Sequence, residues 1–129
     1  MIRPVFRVVL AGFMIFAGMM HFARPDFFVR MVPDSLPEPL LITWASGLFE
    51  LVLGAAVLVA KTRGAAGIGL MALYVAVLPA NINMALHPLQ TGAADVAPWL
   101  LWARLPLQAV LMAVAWWVSR PEIAKTPSP

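Results

Sequence analysis

The sequence contains no cysteine. Disulfide exchange, thiolate nucleophiles and Cys-ligated zinc or iron–sulfur clusters within this chain are thereby excluded, although a zero decides nothing about compartment. Charge is also scarce, at 12% of 129 residues, against about 25% in soluble domains. With 62% of the residues hydrophobic, a soluble protein of this size could not cover its apolar surface with so few polar groups. The bilayer as solvent removes that difficulty. Nine basic against six acidic residues give a net charge of +3. The basic residues stand singly or in pairs at the ends of apolar runs, without the clustered stripe that phosphate binding uses, so no nucleic-acid partner is expected. No nucleophile–base pair, glycine-rich phosphate loop or haem-binding His pair is legible. His21 and His87 lack a helical i, i+3 or i+4 ligand partner, and no metal site is expected.

What the chain does have is four apolar runs. The first, 4–22, spans about 28 Å as a helix, close to the hydrocarbon thickness. Arg3 and Arg7 near its start raise the competing reading of a signal peptide. The run is longer than a usual h-region, and Gly18-Met19-Met20-His21 offers no cleavage pattern, so a retained helix is preferred. The other spans are 40–60, 65–86 and 98–119, with Lys61-Thr62-Arg63-Gly64 as a tight turn and residues 87–97 as a polar connection. Between the first two lies Pro25 to Pro39, with four prolines. Phe27, Phe28, Met31 and Val32 share one face there, which suits a short interfacial helix or an irregular loop packed on the bundle. Residues 122–129 lack an apolar pattern and are expected to be a disordered cytoplasmic tail. The expected fold is all-α: a single integral-membrane domain over 1–121, an antiparallel four-helix bundle.

Direction follows from charge. Arg3, Arg7, Lys61, Arg63, Arg120 and Lys125 fall on one side, whereas Arg24 and Arg30 on the other are offset by Asp26, Asp34, Glu38 and Asp95. The positive-inside rule places both chain ends in the cytoplasm. Trp44, Trp99 and Trp102 then mark the outer interface, and Trp116 and Trp117 the inner one.

Glu50, Asn81, Arg104 and Gln108 sit at bilayer depth, where a charged side chain costs on the order of 3 kcal/mol. Gln108 lies at the level of Glu50, and Arg104 is one turn above Gln108 on the same face. Arg104 is therefore expected to reach Glu50 while Gln108 donates to the same carboxylate. Pro79 and Pro106 each remove a helical hydrogen bond, and interrupted helices at this depth are tolerated where they line a cavity. Asn81 and Asn83 follow Pro79, and His21 is placed at the rim. An uninterrupted helix would not aim both asparagines at one point. Gly47 and Gly54 flank Glu50, and such small residues let helix backbones approach closely. The cluster reads either as a device that fixes bundle register or as an outward-facing pocket for a ligand, a quinone headgroup or a proton, with contacts to a partner subunit as a third use.

An ordered set of short motifs carries a resemblance. It comprises His21-Phe22 with Pro25 and Phe28, Val32-Pro33 and Leu36-Pro37, and Ser46-Gly47 with Glu50 and Gly54. Pro79-Ala80-Asn81-Ile82 with Met84-Ala85, and Arg104-Leu105-Pro106 with Gln108, complete it. In order and spacing, from about Gly12 to Trp117, the chain resembles the DoxX-like family of small four-helix membrane proteins. The resemblance implies a bundle in a bacterial cytoplasmic membrane, associated with quinone-linked redox or detoxification systems. Relatives that handle thiols carry cysteines, which this chain lacks. The expectation is an accessory or ligand-binding subunit without independent catalysis. No cofactor is evident, quinone is a candidate ligand, and the expected partners are the lipid bilayer, a redox-enzyme subunit or a second copy. The other classes are a small transporter, and a scaffold that anchors a soluble enzyme through the Lys61–Arg63 turn and the tail.

Overall fold

The computed structural model describes residues 2–122. It contains α1 (Ile2–Ala23), α2 (Pro25–Val29), α3 (Pro39–Leu58), α4 (Arg63–Leu86) and α5 (Pro98–Ser119), with no strand among the described residues. Four of these helices are long and apolar enough to cross a membrane, and the chain is a multi-pass membrane protein. Outward-pointing Phe13, Phe16, Phe49, Val52, Val75 and Val110 are exposed apolar side chains that the hydrocarbon would cover.

The helix ends follow local chemistry. Pro39 and Pro98 sit in the first turns of α3 and α5, where a missing N–H costs nothing. α3 stops at Leu58, slightly before the expected Ala60, because Val59 turns extended. Its last carbonyls are taken up from the following turn. Thr62 Oγ1 donates to Ala56 O (2.7 Å), Arg63 Nε to Val57 O (2.9 Å) and Arg63 Nη2 to Leu58 O (3.2 Å). A cation in the first turn of α4 is unfavourable to that helix, but here it satisfies the end of α3. α4 therefore starts at Arg63 itself.

α1 packs on α3, α3 on α4, α4 on α5, and α5 closes back on α1, so each helix meets antiparallel neighbours. The α1–α3 contact is the tightest: Cβ atoms built on Gly18 and Gly47 would each fall within 3.0 Å of atoms across the interface. Gly54 faces Met14 and Gly47 faces His21, which sets the register. The end of α1 thus comes level with about Trp44, and α3 runs roughly 9 Å further. The short α2 and the turns after it fill that step. Both sequence readings of this segment are partly met: five residues are helical, and the rest is an irregular packed loop. Phe27 is exposed, whereas Phe28 and Met31 turn inward.

Two apolar clusters stack along the bundle. The larger, Leu10, Met14, Val57, Ala66, Leu70, Leu73, Tyr74, Ala115 and Val118, fills the end that carries the chain termini. The smaller, Met31, Met84, Ala85, Ala93 and Leu101, closes the far end beneath α2. At the terminal end Arg7 is buried, with Nε and Nη2 both donating to Val118 O (3.1 and 3.0 Å), which caps the end of α5. Glu122, assigned from sequence to the disordered tail, is placed 3.7 Å from Arg7. The remainder of that expected tail, 123–129, lies outside the described residues. Arg120 stacks over Trp116 at 4.4 Å, and Phe6 meets Trp117 edge-on at 5.5 Å.

Candidate functional site

Between the two clusters lies a cavity of about 240 Å³, lined from α1, α3, α4, α5 and the α2 segment. The register of α1 on α3 positions its first polar pair. His21 and Glu50 face each other across the glycine contact, with Nδ1 3.0 Å from Oε2 and side chains 10% and 13% exposed. His21 Nδ1 is also 2.7 Å from Ala17 O. A ring nitrogen carries at most one proton, and the carbonyl one turn back is the nearer acceptor. Glu50 Oε2, though close to the imidazole and fully buried, consequently has no hydrogen-bond donor among the described residues. The far face of the imidazole is stacked on Phe28, at 3.7 Å between centroids and 18° between planes.

The second polar pair joins α4 to α5. Asn81 Nδ2 donates to Gln108 Oε1 (2.9 Å), and Gln108 Nε2 donates in turn to Tyr74 O. Tyr74 is next to Val75, whose helical partner Pro79 removes. Gln108 thus inserts its amide beside the loosened turn. α4 and α5 run unbroken through Pro79 and Pro106, so the expected helix interruptions do not form. The Tyr74 hydroxyl is itself engaged, 2.9 Å from Met14 Sδ.

The third polar element is Arg104. Its Nη1 lies 2.7 Å from Met84 Sδ, a weak acceptor. The contacts within 4 Å between oppositely chargeable groups among the described residues are Arg7–Glu122 and His21–Glu50, the second an ion pair only when the imidazole is protonated, so the expected Glu50–Arg104–Gln108 cluster does not form. Arg104 lines the cavity without a carboxylate partner among those residues. The physical reason is register: the deep α1–α3 contact brings His21 to Glu50 first, and Gln108 is committed to α4.

Of the residues singled out in sequence, Glu50, Arg104, Gln108, Asn81 and His21 line the cavity, and Asn83 does not. His21 is a buried partner of Glu50, not part of a rim. Asn83 points to α2, where Nδ2 donates to Met31 O (3.0 Å) and ties the capping segment down. Asn83→Ala should lose about 1 kcal/mol. Hydrogen exchange should speed up around Met31 while exchange within α1 stays unchanged. Thr43, Ser46, Tyr74 and Phe28 also line the cavity and are not among the site residues expected from sequence. Tyr74, the single tyrosine, placed mid-span, was a usable signal. Met84 beside Arg104 had none. Among the described residues no group of three His, Asp or Glu side chains is placed to hold a metal ion.

Chemically, the cavity combines apolar walls, a cation whose contact among the described residues is a thioether, an acceptor oxygen without a donor among those residues, and amides already bonded to one another. Such a site suits a small amphipathic molecule with polar atoms at two points. The fold and cavity define a class: four-helix multi-pass membrane proteins with a polar chamber inside the bundle. Over residues 10–119 the chain matches the family described as a domain of unknown function, DUF8561, and it belongs to that family. No curated protein and no solved structure matches it.

Proposed function

We propose that the chain is an accessory, ligand-binding subunit of a quinone-linked or detoxifying membrane redox system, and that its cavity takes the polar head of a quinone. The observation that carries this reading is the complementary pair of polar groups, without a charged partner or a donor among the described residues, within one apolar-walled chamber. Arg104 offers donors to a carbonyl oxygen, and Glu50 Oε2 offers an acceptor to a hydroxyl. A molecule that interconverts carbonyl and hydroxyl at its two ends uses both. The redox direction rests on the resemblance of the ordered motifs to the DoxX-like family. On the same basis the protein resides in a bacterial cytoplasmic membrane. The basic residues at the terminal end support a cytoplasmic location for both chain termini.

The test is binding of a decyl-substituted benzoquinone to the full chain in lipid nanodiscs. Arg104→Ala should weaken binding of the oxidised form about tenfold or more, the loss of one charge-assisted hydrogen bond. Glu50→Gln should weaken the reduced form more than the oxidised one. A wild-type protein that binds neither form removes quinone as the ligand.

A further inference from the structure

Along the bundle axis the cavity is covered at the terminal end and, apart from the partly exposed Leu36 of the loop after α2, at the far end. At the terminal end Leu70 and Val57 are fully buried beneath it, and Met14 and Tyr74 form its floor. At the far end Phe28 covers His21, Met31 is buried, and Asn83 holds Met31 in place. The sides are less complete. α1 touches α5 least of all neighbours in the ring, and the aromatic and arginine contacts between them are at the terminal end, through Phe6–Trp117 and Arg7–Val118. Further along, Phe13 and Ala17 continue the Phe6 side of α1, and Leu111 and Leu107 continue the Val118 side of α5. These four line the cavity. Phe13 and Leu107 nevertheless remain 50% and 54% exposed on the outside of the bundle. Each therefore borders the chamber on one side and the hydrocarbon on the other.

We infer that the cavity is loaded from the bilayer, through the seam between α1 and α5 at Phe13 and Leu107, and that its ligand is a membrane-dissolved amphiphile. The polar head lies by Arg104 and Glu50, and a hydrocarbon tail leaves through the seam. This rests on the reading of the cavity as a ligand site but not on the identity of the head. Side chains at the seam are apolar, so an aliphatic tail passes without desolvating a polar group. Head and tail together use the whole site: the chamber alone is small for a drug-sized molecule, and a tail in the seam places the rest of the ligand in lipid.

Because the chain has no cysteine, a single introduced thiol reports access without background. Ser46→Cys lines the chamber and is compared, in nanodiscs, for reaction with a dodecyl maleimide and with a sulfonated, water-soluble maleimide. The dodecyl reagent should label it readily and the sulfonated one should not. Adding Leu107→Trp to fill the seam should slow the dodecyl reagent about tenfold, whereas Phe13→Ala should speed it. Val75→Trp, on the lipid-facing side of α4 and outside the chamber lining, should leave it unchanged. Labelling by the sulfonated reagent at a comparable rate overturns the lateral route, since access then runs past α2. Slowing by Val75→Trp without slowing by Leu107→Trp overturns the assignment of the seam, as does a thiol that neither reagent reaches. Phe13→Ala removes volume, so it keeps the test decisive if Leu107→Trp fails to fold. Each result stands apart from benzoquinone binding, so failure of the quinone reading and failure of the portal remain distinguishable.

Discussion

His21→Leu should destabilise the protein far more than Glu50→Gln, and a His21→Leu/Glu50→Leu double variant should recover most of the loss. The side chains are 10% and 13% exposed and 3.0 Å apart, at a depth where water does not solvate a carboxyl group left alone. Removing the imidazole leaves Glu50 Oε2 with neither its nearest polar neighbour nor a hydrogen-bond donor among the described residues. It also strips Phe28 of the ring on which it stacks. Deleting one partner of a buried pair typically costs about 3–5 kcal/mol, while exchanging both for apolar residues is often neutral. Glu50→Gln keeps an acceptor facing His21, and the imidazole retains Ala17 O, 2.7 Å away. That variant should therefore cost about 1 kcal/mol. Unfolding by SDS titration in mixed micelles reads the differences. Equal losses in the two single variants, with no recovery in the double, would show that the pair does not act as a unit.

The same pair shows where sequence reasoning reached and where it stopped. Four spans were legible because apolar length and flanking charge are properties of a segment, and each observed helix lies within a few residues of its expected bounds. The site was legible as a set of residue types, since Glu50, Arg104, Asn81, Gln108 and His21 are all polar groups out of place in hydrocarbon. Its pairing was not. Which polar group meets which depends on how far one helix slides along another, and that is decided by the close contact of Gly18 with Gly47. A partner for Glu50 read from depth along α3 and α5 presumes that both span the bilayer with equal ends. In the structure α1 stops short and leaves His21 opposite Glu50. Arg104 loses its expected carboxylate and contacts Met84 Sδ in its place. Asn83 was separated from Asn81 by helical phase alone, and the unbroken course of α4 through Pro79 follows that phase.

Gly47→Val should be the most damaging single substitution on the α1–α3 face. A Cβ at this position falls 2.6 Å from His21 Cβ, 3.0 Å from Phe22 Cε2 and 3.1 Å from Gly18 O. The first and last of these are a side-chain root and a backbone atom, neither of which can swing aside. α1 must move away or slide, and overpacking of this kind costs about 1–3 kcal/mol before any further loss. A further loss follows here, because the movement separates His21 from Glu50, a buried pair whose disruption is expected to cost about 3–5 kcal/mol. Gly12→Val, on the same helix as Gly18 but with nothing within 4 Å of its built Cβ, should leave stability within about 0.5 kcal/mol of wild type. Thermal unfolding in detergent separates the two. If the clash acts through the pair, Gly47→Val placed in the His21→Leu/Glu50→Leu background should cost less than in the wild type, a non-additivity expected for residues in contact. Additive losses would mean that the glycine contact and the polar pair are independent supports of the bundle.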